Sequence, residues 1–188
     1  MVIKDTATGY GVVSRLFHWL MALAIFALFA LGWWMVGLDY YSSYYHSAPD
    51  LHCSAGILLL IALVLRMVWR GFNTKPDDSE LTPLERRASH AVHIGFYPLL
   101  LALMLSGYFI STPDGRAIDV FGWFQVPSLI QEKGLADSAG FAHRWLAYAV
   151  MAVAGVHTVA ALRHHFGAHS TILTRMWSGP PKADPPKV

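Results

Sequence analysis

The chain has 188 residues, of which 55% are hydrophobic and 14% charged, with a formal net charge of +2. The apolar residues are segregated into long blocks, which excludes an ordinary soluble domain and marks an integral membrane protein. So small a charge excess carries no nucleic-acid signal, and one cysteine, Cys53, excludes an intramolecular disulfide, a four-thiolate iron–sulfur cluster and a Cys-x-x-Cys-His attachment.

The apolar blocks are 16–38, 51–69, 90–112 and 141–162. Each is close to the roughly 20 residues that cross the hydrocarbon of a bilayer. They predict an all-α bundle of four spanning helices, over about 12–38, 50–70, 88–112 and 140–166. The first block could also be a cleaved leader, which would leave three spans and remove His18. Its apolar run is longer than the roughly 7–15 residues of a signal core, and it continues into Gly32, Trp33 and Trp34, an interfacial aromatic pair, so it is read as retained. In the second block only residues 51–65 precede the first charge, Arg66, but Arg66 and Arg70 can snorkel to a nearby surface. Residues 73–87, with Pro76 and Pro83, read as a polar linker into the third helix. Residues 114–140 carry Ile118, Val120, Phe121, Trp123, Phe124, Val126 and Leu129 in a half-apolar pattern, the mark of a short amphipathic segment on the surface that could cap the bundle. The membrane domain is expected to end at 176. The remainder, 177–188, with Pro180, Pro181, Pro185 and Pro186, is read as a disordered cytoplasmic tail.

Lys and Arg are unevenly shared between the two sides of the spans. One side has Lys4, Arg15, Arg66, Arg70, Lys75, Arg86, Arg87, Arg163, Arg175, Lys182 and Lys187; the other has only Arg116, Lys133 and Arg144. The positive-inside rule then puts both termini and the central loop in the cytoplasm, with loops 39–50 and 113–140 outside.

Four histidines, His18, His52, His143 and His157, lie inside these apolar stretches, where an ionisable side chain is costly and usually functional. With alternating helix directions, His52 and His143 fall near the outer ends of helices two and four. His18 falls near the inner start of helix one, and His157 lies 14 residues below His143, about 21 Å at 1.5 Å per residue. Fourteen residues are two heptads, so both imidazoles of helix four stay near one face. The heights match as two pairs, and two imidazoles are what a six-coordinate haem iron needs. Zinc is the main competitor, but it prefers three or four protein ligands. Small residues occupy every i+4 position, Ala22, Gly56, Ala147 and Ala161, leaving room for a macrocycle against each helix. Any such haem is held noncovalently, since no Cys-x-x-Cys-His attachment is present. Cys53 reads as a small core residue beside His52.

His90 and His93 have Ile94 and Tyr97 at i+4, so helix three reads as a wall of the site. They could contact haem propionates or a quinone and its protons, or they could form an interfacial polar cap. Arg15 and Arg144 lie within a turn of ligand candidates, where a propionate would want a cation; Arg144 could equally be a surface charge. His164, His165 and His169 read as decoration of the inner membrane surface, and His46 sits in a loop.

Arg15 with His18-Trp19, His52 with Gly56, the His90-Ala-Val-His93 pair, and His143 with His157 together resemble the prokaryotic cytochrome b561 family of four-helix dihaem membrane proteins, over about residues 10–176. The resemblance implies that the four matching histidines ligate two b-type haems in the bundle core and that the chain passes electrons between a donor and the quinone pool in the bacterial inner membrane. It also implies a quinone-linked oxidoreductase resembling superoxide oxidases, which take an electron from superoxide outside and reduce ubiquinone. Bis-imidazole ligation leaves no open iron position, so such haems exchange single electrons and do not bind oxygen. The donor could be a small molecule or a protein. The outer loops hold Arg116, Lys133 and Arg144 against Asp39, Asp50, Asp114, Asp119, Glu132 and Asp137, an acidic excess that works against steering superoxide. Two other readings remain open: an anchor and relay subunit of a partner dehydrogenase or periplasmic redox protein, and a haem-free scaffold or metal transporter.

Overall fold

A computed structural model describes residues 2–179. Its elements are α1 (Val12–Met35), α2 (Ser47–Gly71), α3 (Pro83–Ser111), β1 (Ile118–Val120), β2 (Phe124–Val126), α4 (Leu135–Phe166) and α5 (Ile172–Trp177). α1 to α4 are long and apolar enough to span a membrane; the shortest, α1, with 24 residues, rises about 36 Å. Large side chains such as Leu20, Leu23, Leu65, Val68, Val156 and Val159 point outward, as lipid contact requires.

α3 begins at Pro83, earlier than the apolar block alone indicates. Thr82 and Glu85 form a reciprocal capping box, and Pro83 at the first helical position gives up an N–H that would have no partner there. α3 also contains Pro98, which membrane helices tolerate where neighbouring helices satisfy the freed backbone group.

The closely packed helix pairs are α1 with α2, α2 with α3, and α3 with α4. α4 therefore stands off from α1 and α2, and side chains bridge the gap. An apolar layer of Met21, Leu59, Leu63, Leu100, Met104 and Val150 fills mid-height, with Leu63 and Val150 sealed from solvent.

One end of the bundle, the terminal face, gathers the chain ends and the α2–α3 loop. Asp77 N–H donates to Ala7 O at 2.8 Å. The Glu80 carboxylate accepts from Ser170 Oγ (2.7 Å), Thr171 N (2.8 Å) and Thr171 Oγ1 (2.6 Å) and pairs with Arg175. Trp19 Nε1 donates to Met176 O at 3.1 Å. The boundary expected at 177 thus falls inside α5, whose Trp177 meets the Trp19 ring edge-on at 5.3 Å. The proline-rich run expected to be a disordered tail, from 180 onward, lies outside the described residues.

The opposite end carries the α1–α2 loop and, where an amphipathic segment is expected, a β-hairpin; we call this the hairpin face. Ile118 pairs with Val126 and Val120 with Phe124. Val120 is fully buried. The turn places Phe121 at φ 53° and Gly122 at φ 71°. A bulky residue is costly in that region, and two side chains hold it: Gly122 N–H donates to Asp119 Oδ2 (2.7 Å) and Phe121 N–H to Ser54 Oγ (3.4 Å). Ser54 in turn donates to Asp119 O at 3.0 Å, which clips the hairpin to α2.

Candidate functional site

Four imidazoles meet in two pairs across the gap beside α4. Near the hairpin face, His52 of α2 and His143 of α4 have ring centroids 6.2 Å apart, with planes at 74°. Near the terminal face, His18 of α1 and His157 of α4 are 6.3 Å apart, with planes at 64°. Val150 of the apolar layer lies seven residues from each α4 histidine, so the layer separates the pairs.

The hairpin-face pair is tightly buttressed. His143 Nδ1 lies 2.9 Å from Leu103 O and 3.1 Å from Ser106 Oγ on α3. A carbonyl only accepts, so Nδ1 carries the proton and Nε2 keeps its lone pair free. Glycines back both rings: a Cβ at Gly107 would come 3.0 Å from His143 Cε1, and one at Gly32 3.1 Å from His52 Cε1. At such distances any larger residue would push the ring by a few tenths of an ångström. His52 Nδ1 is buried without a hydrogen-bond partner. Cys53 Sγ lies 3.3 Å from Ser111 Oγ and is half-buried in the wall.

The terminal-face pair is polar on one side. Arg66 Nη2 lies 3.4 Å from His18 Nδ1, and Trp19 packs edge-on to His18 at 5.2 Å. His93 of α3 stands perpendicular to His157 with centroids 5.1 Å apart, and its Nδ1–H donates to Ser89 O at 2.7 Å. His93 therefore joins this cluster, whereas His90 is exposed and stands apart. Arg15, half-buried one turn before His18, has an Nε without a partner, and its guanidinium packs against Gly179. Arg144 is exposed on α4. His164 faces Glu85 at 3.8 Å, on the terminal face.

Of the small i+4 residues, Gly56 borders open space: nothing lies within 4 Å of where its Cβ would be. Ala22, Ala147 and Ala161 are half-buried. Among the described residues no group of three or more His, Cys, Asp or Glu side chains is gathered to hold a metal ion. Gly32, Gly107, Ser106 and Arg66 also border the paired rings, although no ligand motif in the sequence includes them. Glycine or a buried serine within an apolar helix was the available signal, since glycine there forfeits helix stability without some packing reason.

Four apolar spans enclosing paired histidines define a helical membrane protein of the cytochrome b kind. The profile of the prokaryotic cytochrome b561 family matches residues 9–179, and the chain belongs to that family. Membership makes it a haem b protein of transmembrane electron transfer. Among curated relatives, "Cytochrome b561 homolog 2" of Escherichia coli (strain K12) is 46% identical over 178 residues, covering 94% of this chain and 95% of the relative. "Probable superoxide oxidase CybB" of Yersinia pestis is 28% identical over 162 residues, covering 85% and 90% respectively.

Proposed function

We propose that His52 with His143, and His18 with His157, are the axial ligands of two noncovalent haem b groups, and that the chain carries single electrons from a donor outside the cell membrane to a quinone. The observation that carries this reading is the ring separation within each pair. Two imidazole nitrogens in line, each about 2 Å from one metal ion, set their ring centroids roughly 6 Å apart. The pairs stand at 6.2 and 6.3 Å. His93 and His157, at 5.1 Å, are too close for that arrangement.

A haem held by two imidazoles supplies one-electron exchange and has no open iron position for oxygen. The chain's own residues do the rest. His143, its Nδ1–H fixed on Leu103 O, presents Nε2 in one tautomer and one orientation. Gly56 borders open space that a macrocycle edge would occupy. Arg15, with its unpartnered Nε, is suited to a propionate. Trp19, Leu23 and Trp177 form an open apolar surface beside His18, against which a quinone ring would lie. The cation bias favours the terminal face in the cytoplasm and the hairpin face outside, and the prokaryotic family favours a bacterial inner membrane.

For the donor, the name of the Yersinia pestis relative points to superoxide. The acidic excess of the outer loops favours instead a cationic redox protein, with this chain as its membrane relay. Haem reduction kinetics in membranes, with superoxide, a quinol and such proteins offered separately, distinguish the two. The haem reading itself is tested by a dithionite-reduced minus oxidised spectrum of the purified protein. A b-type α band is expected, and its absence overturns the reading. His52→Ala is expected to lose one haem and retain the other.

A further inference from the structure

The two histidine pairs differ in what faces the Nδ1 of one ring in each. At His143, Nδ1–H donates to Leu103 O (2.9 Å), with Ser106 Oγ at 3.1 Å. A ligand imidazole that donates in this way becomes more basic and favours the more positive, oxidised state of its metal. At His18, Nδ1 faces Arg66 Nη2 at 3.4 Å. A guanidinium has donors only and keeps its charge at any working pH. It offers no acceptor, so His18 has no counterpart there to the Leu103 O that makes His143 more basic. Its charge also penalises the added positive charge of an oxidised metal. Arg66 is half-buried, and among the described residues no carboxylate pairs with it, whereas its neighbour Arg70 is engaged by Asp5 at 3.4 Å.

We propose that Arg66 is the potential-setting residue of the site at His18 and His157, and that this site has the higher reduction potential of the two. The inference rests on the haem reading given above. One electron passing from the metal at His52 and His143 to the metal at His18 and His157 oxidises the first and reduces the second by one unit each, with no bond or proton changing place. The step runs downhill from the hairpin face to the terminal face. Arg66 is a positioning residue acting through charge and does not itself touch the reacting atoms.

The test is anaerobic potentiometric titration of the purified holoprotein, followed at the α band. Two separate one-electron steps are expected. Arg66→Gln should move only the upper step downward, and Arg66→Lys, which keeps the charge, should restore most of the shift. His52→Ala, which keeps the site at His18, should retain the upper step and lose the lower. Coincident steps, retention of the lower step in His52→Ala, or an Arg66→Gln protein with both haems and unmoved steps would each overturn the proposal. Should Arg66→Gln fail to hold its haem, the step retained in His52→Ala decides; should His52→Ala fail, the shift in Arg66→Gln decides. Complete absence of a b-type band would overturn the haem reading, a result distinct from reversed potentials in a protein that holds both haems.

Discussion

Gly107 of α3 lies flat against the edge of the His143 imidazole: a Cβ there would sit 3.0 Å from Cε1 and 3.3 Å from Nδ1. The ring cannot retreat freely, because Nδ1 is tied to Leu103 O on the same helix as the glycine. Gly107→Ala is expected to tilt His143 and weaken the hairpin-face site. Gly107→Val should abolish it, since a branched side chain needs still more room. The haem-to-protein ratio from pyridine haemochrome assay should fall by half in Gly107→Val, with the terminal-face haem retained.

Gly56 gives a contrasting expectation. Its Cβ would meet nothing within 4 Å, so Gly56→Ala should be tolerated and should strengthen α2 by about 1 kcal/mol through helix propensity. Gly56→Leu fills the space with a side chain that a macrocycle would have to displace. It should fold, as judged by circular dichroism in detergent, yet recover less haem than the unaltered protein.

Asp5 anchors the N-terminal segment to α2. Its side chain is inaccessible and accepts from Gly11 N (2.8 Å), Ser14 Oγ (2.8 Å) and Arg70 Nη1 (3.4 Å). Asp5→Ala strands a buried backbone donor and removes the partner of a half-buried guanidinium. A loss of about 2–4 kcal/mol is expected, read as a lowered thermal midpoint in detergent. Charge-preserving Asp5→Glu should recover little, since the longer side chain does not fit the same three donors.

Glu80 makes the docking of α5 depend on pH. Hydrogen bonds, first from the Thr171 hydroxyl and then from Ser170 and the Thr171 N–H, with Arg175 adding charge attraction, pull its carboxyl from the ordinary 4.5 down to about 2. The folded value is depressed, so the stabilisation is fully present above the unfolded value and lost as pH falls from 4.5 through about 2. The group is partly solvated, so its worth is roughly 1 kcal/mol or less. Glu80→Gln should loosen α5 at about pH 7, seen as a change in Trp177 emission against Trp19, and the difference from the unaltered protein should shrink in acid.

Much of this architecture is legible in the residues. Blocks such as 16–38 have the length and apolarity of spans, and the structure has four helices long and apolar enough to cross a membrane there. Other features escape because they depend on quantities a linear pattern lacks. The start of α3 is written in Thr82, Pro83 and Glu85, but a hydropathy reading ignores polar caps. The hairpin has Phe121 where such turns usually carry Asn, Asp or Gly. Its conformation is held by Ser54, distant in sequence, so no local rule reveals it. His93 reads as wall because Tyr97 follows it one turn on, yet the packing of α3 against α4 carries its ring to His157. Arg66 reads as a charge escaping to the surface, and only the pairing of α2 with α1 turns it toward His18.

The apolar layer of Met21, Leu59, Leu63, Leu100, Met104 and Val150 contains no titratable side chain and no charge. It is an insulator in the electrical sense: a proton or metal ion crossing it would find no group to bind. An electron passing from one histidine pair to the other, as proposed above, would therefore be uncompensated within this layer, and its transfer would charge the membrane like a capacitor. A full crossing is worth about 2.3 kcal/mol per elementary charge for each 100 mV of membrane potential. The turnover of such a chain would be throttled or driven by the voltage across the membrane that holds it.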